Sequence, residues 1–403
     1  MAILVLYAGR VFHPDVTLHR TTSACILAAR SFVLHAETGT DVVRQRTSVP
    51  AHFAAYCHAI GTAVPPHDVH RAFIDWASAR VEPRARPLFA RMAARAGIAH
   101  RWSVLPGVAG GSAVDTGGFY AADAPGTAAR MQVYGDAAPP LALAAIAALG
   151  DQVSLDGITH LVVASCTGFV APGIDQIIAA HLGLPAVERL LIGFMGCYAA
   201  IVALRSARHI VRSDPAARVL VVTVELSSLH LQDVDAVEPL LAMLQFGDGA
   251  AAALVTADPG GIALGQPFAA NLPDSEDLIR WTITDTGFAM HLGGAVPGRI
   301  GQALVDPAFV GTVTQGRPPA DLFWAVHAGG RSILDAVQTA LTLPADALAA
   351  SRAVLADNGN MSSATLMFVL ARLLAAPPAQ SDGVALAFGP GLAAEGLALR
   401  YVA

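Results

Sequence analysis

Twice in this chain an apolar, strand-like run ends on a chemically versatile side chain followed by small residues. The first is Leu161-Val162-Val163-Ala164-Ser165-Cys166-Thr167-Gly168, and Leu322-Phe323-Trp324-Ala325-Val326-His327-Ala328-Gly329-Gly330 follows 161 residues later. Each is followed by a Phe-Gly turn leading into another apolar strand, at Phe246-Gly247-Asp248-Gly249 and Phe388-Gly389-Pro390-Gly391. Successive strand residues face opposite ways, so runs that are apolar at every position belong in sheets covered on both faces. The repeated plan predicts an α/β protein of two similar halves, residues 56–258 and 259–403, packed around a pseudo-twofold. Two strand-to-helix junctions then face one site.

The same alternation fills the intervals. Ala59–Ala63 reads as a buried strand ending at Pro65-Pro66, and Val69–Ala96 as helical pieces broken by Pro83 and Pro87. Gly107–Gly126 carries six glycines and reads as a long loop. Thr127–Tyr134 and Leu141–Leu149 read as helices split at Pro139-Pro140. Pro172–Leu182 and Tyr198–Arg212 follow as helices, with strands at Leu190–Ile192, Val219–Val224 and Ala250–Thr256. Residues 1–55 lack any sustained period and read either as an N-terminal extension or as translated sequence upstream of the true start, packed loosely or on the surface, so tight burial of Val5 or Phe32 against the α/β body would contradict this.

Composition removes whole function classes. The chain of 403 residues is 54% hydrophobic and 14% charged, which excludes a disordered polymer. Its longest apolar run, Leu141–Leu149, is half of the roughly 18–20 residues that a membrane span needs. A large core with a subunit interface is expected, without a membrane span. All 25 basic residues are arginine, so no lysine serves as Schiff-base nucleophile, pyridoxal phosphate anchor or phosphate-loop cation. A net charge of −6 without basic runs argues against nucleic acid as a partner. Cys25, Cys57, Cys166 and Cys197 form no CxxC pair and no disulfide framework. No basic residue precedes the apolar stretch Met1–Ala8, so the expectation is a cytoplasmic protein with reduced thiols.

Three residues stand out chemically. Cys166, at the end of a buried strand and the expected start of a helix, would feel the helix's positive end, which favours thiolate. His327 at the equivalent junction would lower the thiol pKa further. Asn360, in Asn358-Gly359-Asn360-Met361-Ser362-Ser363, is either a turn and cap residue or a neutral donor to a developing oxyanion. Cys197 also precedes a helix, but no histidine is placed for it, and it reads as structural.

Five strings now occur together: Ser165-Cys166-Thr167-Gly168-Phe169, Gly247-Asp248-Gly249-Ala250, His327-Ala328-Gly329-Gly330, Gly359-Asn360-Met361-Ser362-Ser363-Ala364 and Phe388-Gly389-Pro390-Gly391-Leu392. In order and spacing they resemble the type III polyketide synthases, the chalcone-synthase-like enzymes, from about residue 57 to the C-terminus. The resemblance implies a thiolase fold layered αβαβα, a homodimer, and a Cys-His-Asn triad of Cys166, His327 and Asn360. Cys166 would take an acyl group from an acyl-CoA starter. His327 and Asn360 would promote decarboxylation of malonyl-CoA to an enolate that lengthens the chain by two carbons, without metal, nicotinamide or flavin. Phe246 matches the family's gatekeeper phenylalanine, and a second family phenylalanine falls on Met290, with Phe288 nearby. Ser227, His230 and Ser362 fall on substrate-contacting positions. Arg91 and Arg95 fall where the family binds coenzyme A phosphates, while a third such position is Leu88. Gly193-Phe194-Met195-Gly196-Cys197-Tyr198-Ala199-Ala200 looks like bacterial members, and the texture resembles alkylpyrone and alkylresorcinol synthases that use fatty acyl starters. Two alternatives stand beside this reading: a ketoacyl-carrier-protein synthase III making one condensation, and a non-catalytic thiolase-fold binding protein.

Overall fold

The computed structural model describes residues 55–107, 112–121 and 124–403. The expected extension, with Val5 and Phe32, lies outside the described residues. Residues 49–403 belong to one compact unit.

A nine-stranded sheet runs through this unit in the order Phe323–Val326, Asp382–Gly389, Ala393–Val402, Gly261–Asn271, Ala55–Ala63, Asp248–Thr256, Val219–Leu226, His160–Ser165, Glu188–Gly193. Ala55–Ala63 pairs antiparallel with Asp248–Thr256, that strand antiparallel with Val219–Leu226, and the latter parallel with His160–Ser165. The second part repeats this pattern. Gly261–Asn271 pairs antiparallel with Ala393–Val402, that strand antiparallel with Asp382–Gly389, and the latter parallel with Phe323–Val326. The strands that deliver Cys166 and His327 therefore hold equivalent places. The two sets join where Ala55–Cys57 pairs with Ile262–Leu264.

Strand alternation sorts the core into layers. Leu161 and Val163 face outward with Leu220 and Val222 onto the helix Thr127–Gly150, whose Leu141, Ala145 and Leu149 are buried there. Val162 and Ala164 face inward, as do Phe323 and Ala325 from the other set, onto the helices Ala199–Ser213 and Ser363–Ala375. Trp324 and Val326 face the opposite outer layer, which includes Arg331–Ala340. The result is the αβαβα stack. Each fully buried leucine in the central layer, such as Leu204 or Leu366, stabilises it by about 1.5–3 kcal/mol.

The structure corrects two expectations. Thr127–Gly150 is one unbroken helix through Pro139 and Pro140. Proline removes an amide donor and crowds the preceding turn, but Ala138, Leu141, Ala142 and Ala145 are fully committed to the sheet and carry the helix across. By length and composition this helix is apolar enough to cross a membrane; here nine of its residues are buried in the protein. Second, no helix begins at Cys166. The next one, Ile174–His181, starts eight residues later, after the loop through Gly173.

Candidate active site

Cys166 lies at the end of its strand with its surroundings fully engaged. Its amide donates to Glu225 Oε2 at 2.9 Å, and Thr167 Oγ1 donates to the same oxygen at 2.9 Å. Ser363 Oγ donates to Glu225 Oε1. Tyr134 OH donates to Ser165 Oγ at 2.6 Å, and Ser165 Oγ to the Val224 carbonyl at 2.7 Å. The Cys166 sulfur accepts the Gly196 amide at 3.0 Å. Burial and the neighbouring Glu225 charge push the Cys166 thiol pKa well up. That reverses the expectation of a thiolate helped by a following helix and by His327: no helix starts here, and the imidazole makes no hydrogen bond to this sulfur.

The helix N-terminus that the sequence reading sought belongs to Cys197. Cys197 stands just before the helix Ala199–Ser213, whose cap residue is Tyr198. Gly196 adopts φ +78°, and a Cβ there would lie 2.6 Å from Pro390 Cδ, so only glycine makes this turn. Cys197, His327, Asn360, Phe246 and Gly329 line one small cavity of about 20 Å³, together with Trp281 and Met290. Cys166 is not among its lining residues; its role is to hold the Gly196 amide from behind. The sequence-predicted grouping of Cys166 with His327 and Asn360 is thus corrected: the structure brings those two to Cys197. The physical reason is tertiary. Two central-layer helices converge by their N-termini, one preceded by Cys197 and the other by Asn360 and Ser362, and His327 arrives from a strand end.

The electrostatics of this cavity are set by burial. Burial pushes the Cys197 thiol up to about 12, opposed by the Ser362 hydroxyl and the Asn360 side chain at its sulfur. Burial lowers the His327 pKa to about 3, so the imidazole is neutral, and neither ring nitrogen has a hydrogen-bond partner among the described residues. Its backbone amide is tied to the Leu386 carbonyl at 2.8 Å. Asn360 is oriented by its own network: Oδ1 accepts from the Ser362 amide at 2.9 Å, and Nδ2 donates to the Gly329 carbonyl at 3.2 Å. The second Nδ2 hydrogen is directed at the Cys197 sulfur, where a reacting group would meet it. Ser362 holds φ +47°, a strained conformation, and apart from the Cys197 sulfur its hydroxyl has no partner among the described residues.

A second, larger cavity of about 300 Å³ adjoins the first and contains the predicted Phe246, Ser227, His230 and Met290. Phe246, Met290 and Trp281 line both spaces and form the wall between them. His230 accepts the Phe288 amide at Nδ1 (3.1 Å), so Nε2 carries the proton and donates to the Thr167 carbonyl at 2.7 Å. Its ring stacks on Phe288 at 4.2 Å between centroids, and burial lowers its pKa to about 4. His230 is therefore a neutral, fixed wall. The buried Arg101 donates to the Phe246 carbonyl at 2.7 Å and pins the backbone of that wall. Arg91 and Arg95 are exposed on the helix Arg86–Arg95 and line neither space.

Sequence reasoning missed Glu225 and Trp281 as well as the part played by Cys197. Glu225 had a readable signal, a lone carboxylate in the apolar strand Val219–Leu226. Trp281 had none, since Ile279–Thr284 shows no more than ordinary strand alternation.

Comparison with known proteins fits this geometry. Residues 42–259 match the N-terminal domain of chalcone and stilbene synthases, and residues 265–403 match the C-terminal domain. The bisdemethoxycurcumin synthase of Oryza sativa is 38% identical over 70% of this chain and 76% of its own length. The α-pyrone synthesis polyketide synthase-like Pks18 of Mycobacterium tuberculosis is 35% identical, covering 66% and 72% respectively. Among solved structures, PKS-I of the brown alga Ectocarpus siliculosus matches at 30% identity and TM-score 0.77, over 86% of this chain and 98% of that one. The C-terminal type III polyketide synthase domain of Steely1 from Dictyostelium matches at 25% identity and TM-score 0.79, over 87% of this chain and 100% of that one. The chain belongs to the chalcone and stilbene synthase family, the type III polyketide synthases, which are acyltransferases that condense malonyl-CoA. The ketoacyl-carrier-protein synthase and the non-catalytic binding protein are not favoured.

Proposed function

We propose that Cys197, His327 and Asn360 are the catalytic residues of iterative, decarboxylative condensation of malonyl-CoA onto an acyl-CoA starter. The observation that carries this is the convergence of Cys197, a neutral imidazole without a partner among the described residues and an oriented amide on one buried cavity. In loading, His327 takes the Cys197 proton as sulfur attacks the starter carbonyl, and returns it to the departing coenzyme A thiolate. Burial penalises both charged groups before substrate arrives, so the ion pair forms only along the reaction coordinate. Malonyl-CoA then loses CO2. The resulting enolate oxygen is held by Asn360 Nδ2–H and by the protonated nitrogen of neutral His327, donors that cost no reorganisation. The enolate carbon attacks the acyl-Cys197 carbonyl, expels the thiolate, and gives a β-ketoacyl-CoA two carbons longer. Every step balances without metal, nicotinamide or flavin.

Phe246 serves as the gate, with Met290 as an adaptable neighbour. Ser227, His230 and Ser362 contact the substrate. Arg91 and Arg95 hold the coenzyme A phosphates at the surface. The starter is a fatty acyl chain of restricted length released as a pyrone or resorcinol, since about 300 Å³ lies at the lower end for ligand pockets. The enzyme works in the cytoplasm as a homodimer. Supporting the dimer, the edge strand Glu188–Gly193 exposes Leu190 and Leu191 at 42% and 46%, beside exposed Phe169 and Phe194.

The test is incubation with malonyl-CoA and acyl-CoA starters from C2 to C18 and aromatic, read by mass spectrometry beside Cys197→Ala. Pyrones or resorcinols lost in the variant are expected. A single condensation product, or turnover only with an acyl carrier protein, would refute the reading.

A further inference from the structure

We infer that Trp281 is a specificity-determining residue whose indole N–H holds the keto oxygen of the once-extended chain. Trp281 sits on the strand Ile279–Thr284, directly opposite Met290 in the pairing with Gly287–Leu292. It lines both the small cavity with Cys197, His327 and Asn360 and the larger cavity beyond. A chain bound through sulfur at Cys197 and extending into the larger cavity must therefore pass this ring. The ring is locked edge-on against its neighbours, at 61° to Phe288, 71° to His230 and 89° to Phe194, with centroids 5.7 to 6.1 Å away. That fixes where its edge points. Nε1 is buried and has no acceptor among the described residues.

Buried indole N–H groups nearly always find a partner, because leaving water without one is costly. An orphan donor at a wall between two ligand spaces is accounted for by an acceptor that comes with the ligand. The starter offers none beyond its thioester carbonyl, which is the reacting centre at Cys197. The first extension creates one: a ketone two carbons from the thioester. A ketone accepts a hydrogen bond from Nε1–H without any proton transfer, so Trp281 distinguishes an extended chain from a saturated chain of equal length. A site built to hydrogen-bond a substrate oxygen discriminates sharply against an analogue lacking it.

This inference rests on the condensation reading, and its test separates the two. The wild-type enzyme is offered a β-ketoacyl-CoA and the saturated acyl-CoA of the same length, each with malonyl-CoA. Loading onto Cys197 is followed by intact mass, and extension by product mass. The expected result is equal loading but about tenfold faster extension of the β-keto chain, with the preference lost in Trp281→Phe, which keeps a ring and loses the donor. Equal extension of both substrates by the wild type overturns the inference without any variant. A preference that persists in a folded Trp281→Phe enzyme overturns it too, as does a Trp281→Phe enzyme that folds and fails to load. Absence of any condensation in the wild type would instead refute the condensation reading.

Discussion

Two of the buried cysteines, Cys166 and Cys197, have surroundings that differ in one respect, which separates scaffold from site. Around Cys166 the polar network is closed: Glu225 accepts from three donors, Ser165 and Tyr134 are bonded in series, and His230 uses both ring nitrogens. Around Cys197 polar atoms are left over among the described residues: both nitrogens of His327 and Trp281 Nε1. Satisfied buried networks rigidify, whereas unsatisfied ones cost stability and persist where a ligand completes them. The two thiols, linked through the Gly196 amide, thus have different surroundings.

The largest effect that would break this contrast is on condensation. Cys197→Ala should lower product formation by at least about a thousandfold, measured as product per enzyme by mass spectrometry. Cys166→Ala should stay within about fivefold of the wild type and instead lower thermal stability, since it removes the sulfur that accepts the Gly196 amide. Equal losses in both variants would erase the distinction.

Asn360→Ala comes next, with an expected loss of about a hundredfold or more in CO2 release from malonyl-CoA. Starter loading onto Cys197 should remain near the wild-type rate, because the amide acts on the enolate.

Glu225 tests the committed side through pH. Burial raises its pKa from 4.5 to about 7, so the folded state keeps the proton to higher pH than the unfolded chain. Its contribution is most favourable below about pH 4.5, and stability falls as pH rises through 7, by about 3 kcal/mol for this group. Asp248, raised from 3.8 to about 6 by burial, adds to the same slope. Glu225→Gln should flatten the fall without abolishing it, as read from urea unfolding between pH 4.5 and 8. The smallest effect is at the surface. Arg91→Gln with Arg95→Gln should raise KM for the CoA thioesters about threefold at low salt, with less difference at high salt.

Much of this architecture is legible in the sequence, and the exceptions are instructive. The all-apolar strands and the repeated junction disclose the duplicated α/β plan, because burial on both faces leaves a compositional mark. His327 and Asn360 announce themselves through small-residue turns around a polar side chain. The proposed nucleophile, Cys197, does not. Symmetry between the two strand ends favours pairing Cys166 with His327, and those positions are equivalent in the sheet. Which helix start meets which strand end is decided by packing across the central layer, between residues far apart in sequence. The Pro139-Pro140 pair misleads in the same way, since local proline chemistry is outweighed by nine buried side chains on one helix.

The central claim is that Cys197 carries the acyl chain. Incubating the protein with an acyl-CoA starter in the absence of malonyl-CoA, then mapping the acylated peptide by mass spectrometry, tests it directly. The account predicts an adduct on the peptide containing Cys197, absent in Cys197→Ala and unchanged in Cys166→Ala. An adduct on Cys166, or acylation that survives Cys197→Ala, would contradict it.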